Sequence, residues 1–123
     1  MYKRQEWAGS QEGSELSGAG ASPGEVEGPA RVVTGLGDLD TVRPGEILVC
    51  TITSPAWAPI FSKIAATVTD IGGIMSHAAI VSREYGLPAV VGTGTATARI
   101  KTGQRLRVDG STGLVSILDG DGS

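Results

Sequence analysis

Residues 69–92, T-D-I-G-G-I-M-S-H-A-A-I-V-S-R-E-Y-G-L-P-A-V-V-G, leave this chain few ways to fold. A β-branched run at 65–69 leads in, and Gly72-Gly73 turns the backbone. A helical segment then starts at Ser76 or His77 and runs to about Tyr85. Gly86 is placed to close that helix in the left-handed conformation, and Pro88 prevents its continuation. Ala89-Val90-Val91 leaves as a second strand. Strand, turn, helix and strand thus follow within two dozen residues, with the chain's single histidine, His77, at the start of the helix.

The flanking sequence extends this order. Gly28-Pro29 leads into a strand at Ala30-Arg31-Val32-Val33-Thr34, and Asp38-Leu39-Asp40-Thr41-Val42 reads as a single helical turn stopped by Arg43-Pro44-Gly45. Glu46-Ile47-Leu48-Val49-Cys50-Thr51 is apolar at successive positions, as in a strand covered on both faces. Ser54 as N-cap and Pro55 at the first helical position predict a helix to about Ile64. Its buried face would hold Trp57, Ile60, Phe61 and Ile64 as core anchors, with Trp57 also placed to line a docking face. Thr95-Ala96-Thr97-Ala98-Arg99 predicts a short turn or helix. Two closing strands carry Leu106 and Val108, then Leu114-Val115 and Ile117-Leu118, around a hairpin-like turn at 109–113. The nineteen glycines show no period and punctuate short apolar runs, which excludes collagen and repeat architectures. The expectation is one compact α/β domain, its strands packed with two or three helices.

At 123 residues there is material for one modest core and not for two ordinary domains. Residues 1–20 carry repeated glycine and serine with Leu16 almost the only aliphatic, so they read as a disordered tail or inter-domain linker. The domain is placed at 21–118, starting near Ser22-Pro23-Gly24, with a C-terminal tail at 119–123. No apolar run reaches the roughly 20 residues of a membrane span, and the polar N-terminus is no secretory signal. The lone Cys50 has no internal disulfide partner, which favours a reducing, cytoplasmic setting. A net charge of −3, with one Phe and two Tyr, supports neither phosphate-backbone binding nor base stacking, so no nucleic-acid partner is expected.

The chemistry concentrates on His77. A lone imidazole is ordinarily a structural residue, but three local features point elsewhere. Gly72-Gly73 allows a close backbone approach beside it. A helix N-terminus offers unpaired N–H groups and a positive dipole end to an anion. Ala78 and Ala79 leave space around the ring. This suits a phosphohistidine: the nucleophile is the neutral imidazole, and the same N–H groups stabilise the charge once phosphoryl is attached. Stabilisation of about 0.3–1 kcal/mol, up to about 2 when partly buried, is the scale for such a site. Other chemistries lack parts. No second histidine or cysteine completes a zinc site, and Ser76 beside His77 lacks an orienting carboxylate. No P-loop occurs, and Gly92-Thr93-Gly94 lacks the third glycine of a dinucleotide fingerprint, so it reads as a turn. Asp70 reads either as a surface carboxylate or as a residue that orients the loop. Arg83 lies about 120° around the helix from His77, so it reads equally as a phosphate contact, a partner of Glu84 or a contact to another protein.

The pattern Gly72-Gly73-x-x-Ser76-His77-Ala78-Ala79-Ile80-Val81-x-Arg83-Glu84-x-Gly86-x-Pro88-Ala89-Val90-Val91-Gly92 resembles the signature of the swivelling phosphohistidine domain of phosphoenolpyruvate-utilising enzymes. Ala21-Ser22-Pro23-Gly24, Gly28-x-Ala30-Arg31-Val32, Gly45-Glu46-Ile47-Leu48-Val49 and Asp109-Gly110-x-x-Gly113-x-Val115 extend the likeness over about 21–118. The resemblance implies a single β/β/α swivelling unit and a phosphotransferase component that does not complete a turnover alone. It makes His77 the phosphorylated residue, with Gly72, Gly73, Ser76, Ala78 and Arg83 supporting the phosphate loop. The domain would bind no cofactor itself. ATP with Mg2+, or phosphoenolpyruvate, would sit on partner domains: an ATP-grasp nucleotide-binding domain and a domain for an acceptor such as pyruvate, in the same polypeptide or as separate subunits. Residues 1–20 would then be the hinge linker. In the synthase and dikinase branches a regulatory threonine stands two residues before the histidine; Met75 stands there in this chain, so that control does not carry over. With the chain ending five residues after Leu118, no phosphoenolpyruvate-binding barrel follows, which points to a carrier at the C-terminus or on a separate subunit; a truncated fragment would look the same. The competing reading is a non-catalytic anion-binding or regulatory module that keeps the fold.

Overall fold

A computed structural model describes residues 15–34, 40–53 and 55–118. The predicted cap at Ser54, residues 38–39 of the turn at 38–42, residues 1–14 of the linker and the 119–123 tail lie outside them. Among the described residues eight strands form one sheet in the order β1-β8-β7-β3-β4-β5-β6-β2. They are β1 Glu15–Ser17, β2 Ala19–Ser22, β3 Glu25–Val33, β4 Ile47–Cys50, β5 Ala66–Thr69, β6 Ala89–Val91, β7 Arg105–Asp109 and β8 Leu114–Ile117. Pro55–Ser62 is a 3₁₀ helix, His77–Tyr85 is α1 and Ala96–Arg99 is α2.

β3 is the hinge of the architecture. Its first half pairs antiparallel with β7, from Glu25 opposite Asp109 to Pro29 opposite Arg105. Its second half pairs parallel with β4, from Ala30 opposite Ile47 to Val33 opposite Cys50. The change of partner falls at Gly28-Pro29, residue types that weaken or bend a strand interior. A Cβ at Gly28 would lie 2.9 Å from the Gly45 carbonyl oxygen, so only glycine admits this approach. The sequence reading starts this strand at Ala30; the structure carries it through the proline because β7 supplies a partner on the other side.

Strand pairing also begins earlier than the 1–20 linker assignment allows. β1 pairs with β8 and β2 with β6, at opposite ends of the strand order, yet only Gly18 separates them in the chain. The two ends of the sheet therefore meet at Gly18, whose N–H donates to the Gly113 carbonyl at 2.9 Å. Leu16, almost the only aliphatic of that segment, is buried in the core. The strands hold through main-chain pairing, Leu16 and the buried Ala21, which composition does not display.

On β4, Ile47 and Val49 face a core shared with Val68, Val90, Leu106, Val108 and Val115. The alternate residues, Leu48 and Cys50, face a second cluster with Trp57, Ile60, Phe61 and Ile64. Side chains of a strand alternate between faces, so burial of all four residues requires cover on both. The Trp57-Ile60-Phe61-Ile64 face is buried as predicted, but the segment winds as 3₁₀ and not α. Pro59 lies inside it, without an N–H and with a ring that clashes with the carbonyl four residues back in an α-helix.

Candidate functional site

β4, β5 and β6 run parallel, so their carboxyl ends emerge together. The crevice outside such ends is where open α/β sheets bind ligands. The site is built from the three segments that leave there: β4 continues to Thr53, β5 to the 70–76 loop and His77, and β6 to Gly92-Thr93-Gly94. Main-chain bonds lace them together. Asp70 N–H donates to Cys50 O (3.1 Å), Ile71 N–H to Thr51 O (2.9 Å), Thr93 N–H to Thr69 O (3.0 Å) and Gly94 N–H to Asp70 O (3.0 Å).

α1 starts where its caps dictate. Ser76 is the N-cap in extended conformation, and its hydroxyl accepts from the Ala79 N–H at 3.3 Å. Gly86 closes the helix at φ 72°, in the left-handed conformation predicted. Ala78 and Ala79 are buried against Ala21, Ala89 and Val91, which lets the helix end lie close to β6 and β2. Ser82 donates to Thr67 Oγ1 at 3.1 Å and fastens the helix body to β5. His77 is thereby held at the first position of the helix, half-buried.

Two contacts orient its ring. Nδ1 lies 2.8 Å from Thr53 Oγ1. The ring meets Phe61 at nearly a right angle (89°), centroids 6.3 Å apart. Among the described residues Nε2 has no hydrogen-bond partner. Thr53 is buried and comes from 24 residues upstream, so no local pattern marks it. Phe61, expected only as a core anchor, is also the wall behind the imidazole.

The predicted supporting residues divide. Gly72 has φ 123°, and a Cβ there would lie 3.0 Å from both Cβ and Oγ of Ser76. Its glycine serves the cap beneath His77 and not the ring directly. Gly73 is different: a Cβ there meets nothing within 4 Å, so a close approach does not explain that glycine. Gly92, at φ 72°, is the second tight glycine, with a Cβ position 2.8 Å from the Gly72 carbonyl oxygen. Arg83 donates through Nη1 to Ala21 O and through Nη2 to Ile74 O, both at 2.7 Å. It binds main chain on two elements, and the predicted pairing with Glu84 is not what occupies it. Asp70 is half-buried, so the surface reading gives way to the loop-orienting one. One of its oxygens accepts from Thr93 Oγ1 and Thr97 N–H, each at 3.2 Å, and the other from Thr97 Oγ1 at 2.5 Å. Cys50, beneath the loop, is fully buried; burial, and secondarily the charge of Asp70, push its thiol pKa up to about 12. Such a thiol is no nucleophile near neutral pH. Ile52, Ile71, Ile74, Met75 and Ile80 lie exposed on the segments that carry the site.

The fold and site together define a compact α/β domain that presents one histidine from a helix N-terminus at the carboxyl ends of parallel strands. Residues 42–113 match the family described as PEP-utilising enzyme, mobile domain, and the chain belongs to that family. It is 52% identical over 104 residues to chondramide synthase cmdD of Chondromyces crocatus, covering 85% of this chain and 3% of that protein. It is 50% identical over 103 residues to rifampicin phosphotransferase of Streptomyces sviceus, covering 84% of this chain and 12% of that protein. The solution structure of Enzyme I superposes at a TM-score of 0.58 with 30% identity, over 65% of this chain and 33% of that one. The chain thus spans a small fraction of the curated relatives it matches. No helix among the described residues is long and apolar enough to cross a membrane.

Proposed function

We propose that the chain is a phosphoryl carrier in which Nε2 of His77 takes a phosphoryl group at one site and, by movement of the whole domain, delivers it to an acceptor at another. The observation that carries this reading is the contact between Nδ1 and Thr53 Oγ1 at 2.8 Å. A neutral imidazole has one N–H. With that proton on Nδ1, donated to Thr53, the lone pair of Nε2 is free to attack phosphorus. The new N–P bond forms as the P–O bond to the donor's leaving group breaks, and that oxygen keeps the electron pair. The Nδ1 proton stays in place; on delivery an acceptor oxygen attacks phosphorus as the N–P bond breaks, and Nε2 recovers the electron pair. The free N–H groups of the first helical turn lie at the end of α1 where the phosphoryl group arrives.

The donor, ATP with Mg2+ or phosphoenolpyruvate, would be held by a partner: an ATP-grasp domain, with a further domain for an acceptor such as pyruvate or another small molecule. Among the described residues no group of three or more His, Cys, Asp and Glu side chains converges on a metal position, and no step here runs through the ion. The exposed aliphatic residues of the 70–76 loop, with Ile52 and Ile80, support docking against such domains and exclusion of water during transfer.

Incubation of the chain with its nucleotide-binding partner and labelled ATP, or with labelled phosphoenolpyruvate, tests the proposal. The expected product is an acid-labile, alkali-stable phosphate on the wild-type chain and none on His77→Ala. Equal labelling of His77→Ala, or a wild type that no donor labels, refutes the carrier and leaves a non-catalytic anion-binding module.

A further inference from the structure

Arg83 is the one charged side chain of α1 tied to both the strand at one end of the sheet and the loop that precedes His77. β2 pairs with β6 through Ala19, Gly20 and Ser22, and the register shifts between Gly20 and Ser22, leaving Ala21 without a partner in the ladder. Such a bulge frees a main-chain group that must find a partner when buried, and Ala21 is buried. Its carbonyl accepts from Nη1 of Arg83 at 2.7 Å. Nη2 of the same guanidinium reaches the Ile74 carbonyl, also at 2.7 Å, three residues before His77. The planar guanidinium holds two donors at a fixed separation, which a lysine ammonium does not reproduce.

We infer that Arg83 is a positioning residue for the carrier histidine: by bridging the β2 bulge and the 70–76 loop, it sets the approach of that loop to the end of α1 and so the space into which Nε2 points. The inference rests on the carrier reading of His77 and concerns a residue whose guanidinium is bonded to main chain and not to the ring. The loop has few other side-chain ties across its middle. Ser76 caps the helix at its far end and Asp70 anchors its near end, while Ile74 and Met75 between them are exposed. Loss of the clamp would let this middle move without unfolding the helix, whose caps and Ser82 anchor remain.

The test compares wild type, Arg83→Gln and Arg83→Lys, carried in the full-length protein alongside its donor domain. Amide hydrogen exchange over residues 70–76 and the rate of His77 phosphorylation at saturating donor are read on the same samples. Arg83→Gln should exchange the loop at least about tenfold faster and phosphorylate at least about tenfold slower, with Arg83→Lys in between, because a lost charge-assisted bond is of that size. Exchange in α1 from residues 78 to 85 should stay as in wild type, which separates a loosened loop from an unfolded domain. Unchanged loop exchange in Arg83→Gln overturns the clamp. A loosened loop with an unchanged phosphorylation rate at saturating donor overturns the positioning role alone. A wild type that is never phosphorylated overturns the carrier reading and this inference with it.

Discussion

Replacing Thr53 by valine tests the geometry of the site most directly. Valine keeps the shape of threonine and its burial but removes the oxygen that lies 2.8 Å from His77 Nδ1. Two consequences follow. The ring loses the bond that selects which nitrogen carries the proton, so a fraction of the imidazole adopts the form protonated at Nε2, which has no lone pair for phosphorus. The Nδ1–H form, where it persists, points a donor at a methyl group. An unsatisfied buried donor costs roughly 1–3 kcal/mol. With 1.36 kcal/mol per factor of ten, phosphorylation of Thr53→Val should slow by about fivefold to about 160-fold. Phe61 still backs the ring at 6.3 Å, so the imidazole stays in place and the loss stops short of that in His77→Ala. Thr53→Ser keeps the oxygen and should recover most of the rate. The assay is the initial rate of acid-labile labelling at saturating donor, with nitrogen-15 chemical shifts of the imidazole reporting the tautomer. Wild-type labelling by a folded Thr53→Val chain, or a phosphoryl group found on Nδ1, would refute the argument.

Two further outcomes concern the frame around the site. Gly72→Ala combines a backbone at φ 123° with a Cβ 3.0 Å from Ser76, so it should lose about 1–3 kcal/mol and melt several degrees lower, while Gly73→Ala, with open space at the Cβ, should stay within about 0.5 kcal/mol of wild type in thermal unfolding. Glu46 accepts from Arg31 through both oxygens, at 3.0 and 2.9 Å, and from the Arg43 N–H at 2.8 Å; the Arg31 guanidinium, above all, holds its carboxyl below the usual glutamate range. A carboxyl whose folded pKa is depressed stabilises the fold above its unfolded value, about 4.3, and loses that contribution as pH falls through the folded one. Melting temperature should therefore fall more steeply below about pH 4.3 in wild type than in Glu46→Gln, and parallel acid profiles would contradict the assignment.

The family places the chain among domains of larger proteins, and its relatives bear names as different as a chondramide synthase and a rifampicin phosphotransferase. The proposed carrier role fits that variety: His77, Thr53 and the helix end would handle one group, and the chemistry of each substrate would belong to other domains. Met75, two residues before His77, is exposed and gives the loop an apolar contact surface.

Local interactions explain how much of this was legible beforehand. The span of α1, its start at Ser76-His77 and its stop at Gly86 are set by groups within four residues of each other, and a linear sequence displays such groups side by side. The buried runs of β4, β5 and β6 were equally plain, because both faces are covered and every residue is apolar or small. From these alone the sequence determined a compact α/β domain with one histidine at a helix end. Tertiary structure decided what stands around that histidine. Thr53 meets it only because parallel pairing brings the ends of β4 and β5 together, and Arg83 finds its partners only because β2 bulges at Ala21. β1 and β2 themselves were hidden in a glycine-rich segment, since their hydrogen bonds go to β8 and β6, about 70 to 100 residues further along the chain. Such contacts close long loops of chain, and no short-range pattern of residue types records which loops close.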